Sequence, residues 1–215
     1  MNNEFTGAEL DSLREKINSM MSDFRLAHTL GVEKMATKLG ELYCPDKISD
    51  LRAAALLHDI TKEYSLAEQM EVFNRCGVKA PKEAIAAPAT LHSLTAALVI
   101  PKEYPVFAKS CIIDAVRYHT TGRAEMSMIE KLIYLADYID ETRKYEDCVT
   151  LRGEFFDAEP EKMTSKERIT HLNRVILHSL DLTVTDLVEK GKVISPDTIN
   201  ARNHLIFELE NEENV

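Results

Sequence analysis

A chain of 215 residues with 45% hydrophobic content can bury a sizeable core, and its formal charge of -10 opposes broad attraction to nucleic acid or to an anionic membrane surface. A polyanionic ligand would therefore need a local metal ion or a few placed Arg and Lys residues. No apolar run approaches the roughly 20 residues of a transmembrane helix, and the charged stretch Met1–Ser22 lacks a signal-peptide core, so a cytoplasmic protein is expected.

Leu, Ile, Ala and Met recur at helical spacing, Gly and Pro number seven each, and no sustained strand-type alternation stands out. The fold class is read as all-α, one domain over residues 1–215. Thr6 with Glu9 three residues on has the form of a capping box, followed by a helix over Leu10–Met21. The helix bearing His28 runs to Tyr43 and breaks at Cys44-Pro45-Asp46; the next spans Ile48–His58. A short helix over Ser65–Cys76 ends at Gly77, a natural left-handed cap, and a passage through Pro81 and Pro88 leads to the His92 helix, expected to stop at Pro101. Helices over Val106–Tyr118 and Ser127–Asp140 carry His119 and Asp137. Residues Glu141–Ser165 are polar and read as a loop, followed by a long amphipathic helix over Lys166–Lys190, a last one over Pro196–Leu209, and a solvated, frayed acidic tail over Glu208–Glu213. The four cysteines, Cys44, Cys76, Cys111 and Cys148, are single and widely spaced, without a Cys-x-x-Cys pair, and are read as reduced thiols.

The residues that point to chemistry are polar groups in apolar helical settings. His58-Asp59 closes the run Ala53–Leu57, and His28, His92, His119 and Asp137 have similar surroundings. Such groups need partners when buried, and only a bundle core would gather six residues from five separate segments. Neighbours His58 and Asp59 point about 100 degrees apart on an ideal helix, which would let Asp59 bridge two ions while His58 binds one. Imidazole and carboxylate without thiolate suit Fe, Mn, Co or Zn better than Mg or Ca, with zinc not preferred. His171, His178 and His204 sit on more polar helices and are assigned to surface or packing.

The order His, His-Asp, His, His, Asp resembles the HD-domain metal-dependent phosphohydrolases. Within them the segments Arg25-Leu26-Ala27-His28-Thr29-Leu30-Gly31-Val32, Leu57-His58-Asp59-Ile60-Thr61-Lys62, Leu91-His92-Ser93, Tyr118-His119-Thr120-Thr121-Gly122 and Leu135-Ala136-Asp137-Tyr138-Ile139 resemble the YqeK family. So do Glu189-Lys190-Gly191, Pro196-Asp197-Thr198 and Ala201-Arg202-Asn203 near the end. That family comprises the bacterial symmetrical diadenosine tetraphosphate hydrolases. The resemblance implies an all-helical HD bundle, with a core over residues 20–145 and a helical extension over 146–215. It also implies a di-iron-type centre: His28, His58, Asp59 and Asp137 on one ion, Asp59, His92 and His119 on the other. A homodimer is compatible with it. The chain departs from the family where Glu-Pro-x-Arg is usual and Asp140-Glu141-Thr142-Arg143 stands instead, which puts the loop expected to touch the nucleotide in question.

The reaction so implied breaks the central bridge of diadenosine tetraphosphate and yields two ADP, with water activated between two metal ions. Lys62, one turn past the His-Asp pair, would pair with a phosphoryl oxygen, and Arg143 and Arg123 are the next candidates for phosphate contacts. Arg25 is read as a partner for a carboxylate. The rival readings are an HD phosphohydrolase of another nucleotide, such as a deoxynucleoside monophosphate, and a nucleotide-binding protein without turnover.

Overall fold

A computed structural model describes residues 4–213, and every regular element in them is helical. Residues 1–3, the start of the charged N-terminal stretch, lie outside the described residues. The helices are α1 (Gly7–Asn18), α2 (Asp23–Tyr43), α3 (Ile48–Leu57), α4 (Leu66–Cys76), α5 (Lys82–Ala86), α6 (Leu91–Glu103), α7 (Ser110–Tyr118), α8 (Met128–Ile139), α9 (Glu146–Asp157), α10 (Ser165–Glu189) and α11 (Pro196–Glu213). Single 3-10 turns at Pro45–Lys47, Pro88–Thr90, Pro105–Phe107 and Pro160–Lys162 each begin with proline, whose fixed φ suits a first helical position.

Capping boxes set the start of four helices: Thr6 with Glu9, Ser65 with Glu68, Ser127 with Glu130, and Thr164 with Glu167. Gly77 takes the left-handed conformation that ends α4. At the centre lies α3, where Leu51 and Ala53–Leu57 are all fully buried. A helix apolar on every side has to be surrounded, and α1, α2, α7 and α8 pack around it. α6 lies on α7, α4 on α6, and α9 and α10 on α8, with α11 against α10.

Several expectations need correction. Asp59 is not within a helix: α3 ends at Leu57, His58 caps it, and Asp59–Lys62 form tight turns. The His92 helix runs past Pro101 to Glu103, because a proline in the last turn removes one helical bond without ending the ladder. α7 starts at Ser110, since the Pro105 turn interrupts the stretch from Val106. The expected loop Glu141–Ser165 holds α9, whose narrow stripe of Cys148, Leu151 and Phe155 is buried while most of the other residues are polar. Tertiary packing rather than strong local amphipathicity makes that helix.

The acidic end is helical through Glu213 rather than frayed, and Glu208 reaches into the structure. The Nζ of buried Lys131 donates to Glu208 Oε2 and to Asn173 Oδ1, each at 2.9 Å, joining α8, α10 and α11. Glu208→Ala leaves that ammonium with the amide oxygen alone, and a loss of about 1–3 kcal/mol in unfolding free energy is expected. A urea titration with an unchanged midpoint would remove this anchoring role from Glu208. All four cysteines are free.

Candidate metal centre

The bundle brings the six sequence-predicted residues to one place. His28 projects from α2, His58 from the cap of α3, Asp59 from the turn after it, His92 from the first turn of α6, His119 from the cap of α7 and Asp137 from the last turn of α8. Asp59 stands in the middle. Its Oδ2 lies 3.5 Å from His58 Nε2 and 3.8 Å from His28 Nε2, whereas Oδ1 lies 3.2 Å from His92 Nε2 and 3.6 Å from His119 Nε2. Asp137 Oδ1 is 2.9 Å from His28 Nε2 and 3.9 Å from His58 Nε2, and the Nε2 atoms of His92 and His119 are 3.0 Å apart.

The ring nitrogens are aimed by backbone. His58 Nδ1 sits 2.6 Å from the carbonyl of Ala55, and His119 Nδ1 sits 2.7 Å from that of Val116. A carbonyl only accepts, so each Nδ1 carries the proton and each Nε2 turns a lone pair inward. A buried network fixes the turn that carries the His-Asp pair. Thr61 Oγ1 donates to the His92 carbonyl at 2.8 Å, and Gln69 Nε2 donates to the Thr61 carbonyl at 2.6 Å.

Burial opposes charge on Asp59, but its neighbours His58, His119 and His92 outweigh it and hold the carboxyl well below the usual range. Asp137 is held low in the same way, chiefly by Arg143 and His28 against its burial. Burial also acts to lower His28, yet hydrogen bonds to Asp137 and Asp140 prevail and push it up to about 9. His92, with burial dominant, falls to about 4.

Divalent metal binding fits this donor set. The ligand atoms of His28, His58 and Asp137 lie within 4.8 Å of one another, as do those of His58, Asp59 and His119. His58 Nε2 and Asp59 Oδ1 are fully buried without an aligned hydrogen-bond partner among the described residues. Each such atom costs about 1–3 kcal/mol unless satisfied, and bound divalent cations would satisfy them.

One side of the centre is closed and the other open. The side chains of His58 and His119 are 0% and 1% exposed, while Arg143 is 32% and Asp137 17% exposed. Cations line the open side. Arg25 Nη1 pairs with Asp59 Oδ2, Arg143 Nη2 lies 2.5 Å from Asp137 Oδ1, and Lys62 Nζ lies 3.2 Å from His92 Nε2. Arg123 is placed elsewhere: its Nε and Nη2 donate to the two oxygens of Glu130 at 2.5 and 3.0 Å, joining the turn after His119 to the first turn of α8. His171, His178 and His204 meet Phe155, Glu154 and Glu208 respectively.

Several supporting residues were not singled out from the sequence. Asp140 is fully buried, and its Oδ2 lies 3.2 Å from His28 Nδ1 while the backbone N–H of Thr142 donates to its Oδ1 at 2.8 Å. Arg152 donates to the carbonyls of Ile139, Asp140 and Arg143 and fixes that turn against α9. The sequence signal for Asp140 was the departure from Glu-Pro-x-Arg; the structure makes that segment a tight turn behind a metal-ligand candidate. Asp140→Ala frees the outer nitrogen of His28, and metal affinity is expected to drop about 10–100-fold. Competition with a fluorescent chelator measures it, and wild-type affinity in the variant would show that His28 is oriented by other means.

The HD domain family model matches residues 25–142. The symmetrical bis(5'-nucleosyl)-tetraphosphatase of Halalkalibacterium halodurans is 31% identical to this chain, over 87% of it and 92% of the relative. The protein of the same name from Bacillus subtilis is 29% identical, over 88% and 94%. A crystal structure described as a predicted HD superfamily hydrolase involved in NAD metabolism, from Clostridium acetobutylicum, is similar with a TM-score of 0.79 at 28% identity, covering 95% of this chain and 99% of the other. The ordered His and Asp residues, the helical bundle that gathers them and these full-length likenesses make the chain a member of the HD-domain family and, within it, of the YqeK-like group.

Proposed function

We propose that this protein is a metal-dependent hydrolase that cleaves diadenosine tetraphosphate symmetrically into two ADP at a centre of two divalent ions, iron favoured over manganese, cobalt and zinc. The observation that carries this reading is Asp59, whose two carboxylate oxygens face different histidine groups. It is supported by two full-length relatives whose names state that activity. His28, His58, Asp59 and Asp137 would hold one ion, and Asp59, His92 and His119 the other. When bound, divalent ions supply Lewis-acid polarisation and acidify water enough for attack at neutral pH.

The remaining work falls to the chain. Lys62, Arg25 and Arg143 gather positive charge at the open side of a protein whose net charge is -10, so phosphoryl oxygens are drawn there. Their hydrogen bonds orient the central phosphates and neutralise charge that develops on the departing ADP. Arg123 would join them only by leaving Glu130. The closed side, formed by His58, His119 and Asp140, keeps bulk water from the donor atoms, so that their proton states are set by the neighbours described above. Addition of one water across the central P–O–P bridge gives ADP twice. A substrate of this kind suits a cytoplasmic setting.

The test is product separation by chromatography after anaerobic incubation of metal-loaded protein with diadenosine tetraphosphate. ADP as the sole product is expected. ATP with AMP would reject central cleavage. No turnover, with phosphate released instead from a deoxynucleoside monophosphate, would move the activity to another nucleotide substrate.

A further inference from the structure

Beside the metal centre lies a cavity of about 210 Å³ between the α5–α6 region and the start of α11, with Pro81, Ala84, Leu94, Thr121, Pro196 and Asp197 in its walls. Whole small-molecule sites commonly occupy about 300–1,000 Å³, so this one has room for one end of a dinucleotide rather than all of it. Its walls are chain neighbours of the centre. Ser93, also in the lining, follows His92; Thr121 is two residues past His119; and Thr120 between them turns its Oγ1 to within 3.2 Å of His92 Nε2. The same turn therefore serves both places. α11 reaches it because Gly122, at φ +63, has no Cβ: one built there would lie 3.0 Å from the Cβ of Ala201. This contact gives Ala201 a task, and the cavity lining gives one to Pro196 and Asp197, which the metal centre leaves without one.

The chemistry of the lining selects among ligand parts. Pro81, Ala84, Leu94 and Pro196 offer apolar walls suited to a flat base. The lining holds two carboxylates, Glu83 and Asp197, and a single guanidinium, Arg117, and neither carboxylate belongs to an ion pair among the described residues. A surplus of negative charge repels phosphate but accepts hydrogen bonds from hydroxyl and amino groups. We propose that this cavity is the subsite for one terminal nucleoside of the substrate, its base held by the proline and leucine walls and its hydroxyl or amino groups donating to Asp197 and Glu83. The proposal rests on the dinucleotide reading above and makes the C-terminal helix part of the substrate site.

Asp197→Asn and Glu83→Gln in metal-loaded protein, with KM and kcat measured for diadenosine tetraphosphate, test it together with photolabelling by 2-azido-ADP and peptide mapping. Loss of one charged acceptor is expected to raise KM about tenfold, with kcat within about twofold because the reacting phosphates lie elsewhere. Label is expected in peptides spanning residues 81–94 or 195–202. Unchanged KM in both variants with label confined to other peptides would overturn the proposal while leaving the hydrolase reading intact. A wild-type protein that binds label at these peptides yet forms no ADP would overturn the hydrolase reading and keep the nucleoside cavity.

Discussion

Asp59→Ala is expected to abolish metal retention and to lower the rate of ADP formation on the order of 1000-fold, because several kcal/mol of transition-state stabilisation depends on the ions. Among the described residues no other offers an oxygen to both histidine groups. Asp59→Asn separates charge from shape. It keeps the volume beside Arg25 but supplies a neutral amide, which pairs weakly with a guanidinium and binds divalent ions poorly. Metal content by plasma mass spectrometry, read beside the rate and the far-UV circular dichroism, distinguishes loss of ions from loss of folding. Full metal occupancy and full rate in Asp59→Ala would remove Asp59 from the centre.

The second large effect lies at a residue without a side chain. A Cβ at Gly31 would meet Asp140 Oδ1 at 2.7 Å and Thr142 Cγ2 at 2.8 Å, and Asp140 cannot retreat because it is fully buried and held by the backbone of Thr142. Gly31→Ala is therefore expected to cost about 1–3 kcal/mol of stability through overpacking. It should also weaken metal binding about 10–100-fold as the turn is pushed off His28. Gly153 in α9 is the contrast: its added Cβ would meet only Asp157 Oδ2, at an ordinary 3.5 Å, so Gly153→Ala should stabilise by about 0.5–1 kcal/mol. Thermal unfolding with chelator competition reads both. Equal behaviour of the two variants would mean that the 140–143 turn does not depend on close approach to α2.

The ligand candidates were legible in the sequence because the cost of burying imidazole and carboxylate makes each of them conspicuous in an apolar segment, whatever brings them together. Capping residues marked α1, and Gly77 marked the end of α4, for similar local reasons. What escaped was set by tertiary contact. α9 has only Cys148, Leu151 and Phe155 to show, and its helicity comes from packing on α8 and α10. Glu208 looked like part of a solvated acidic end because Lys131, its partner, is 77 residues away in the chain. Arg123 and Arg143 looked alike as flanking arginines, yet Glu130 sits within reach of one and Asp137 within reach of the other. Asp140 drew notice only as a departure from a family pattern, while its role behind His28 depends on the bareness of Gly31, more than 100 positions earlier.

The most direct test of the central claim is the rate of ADP formation from diadenosine tetraphosphate by one preparation, first stripped of metal by chelation and then restored anaerobically with iron. Loss of turnover on stripping and its recovery in proportion to bound iron is the expected result. A stripped protein that turns over at the original rate would contradict it.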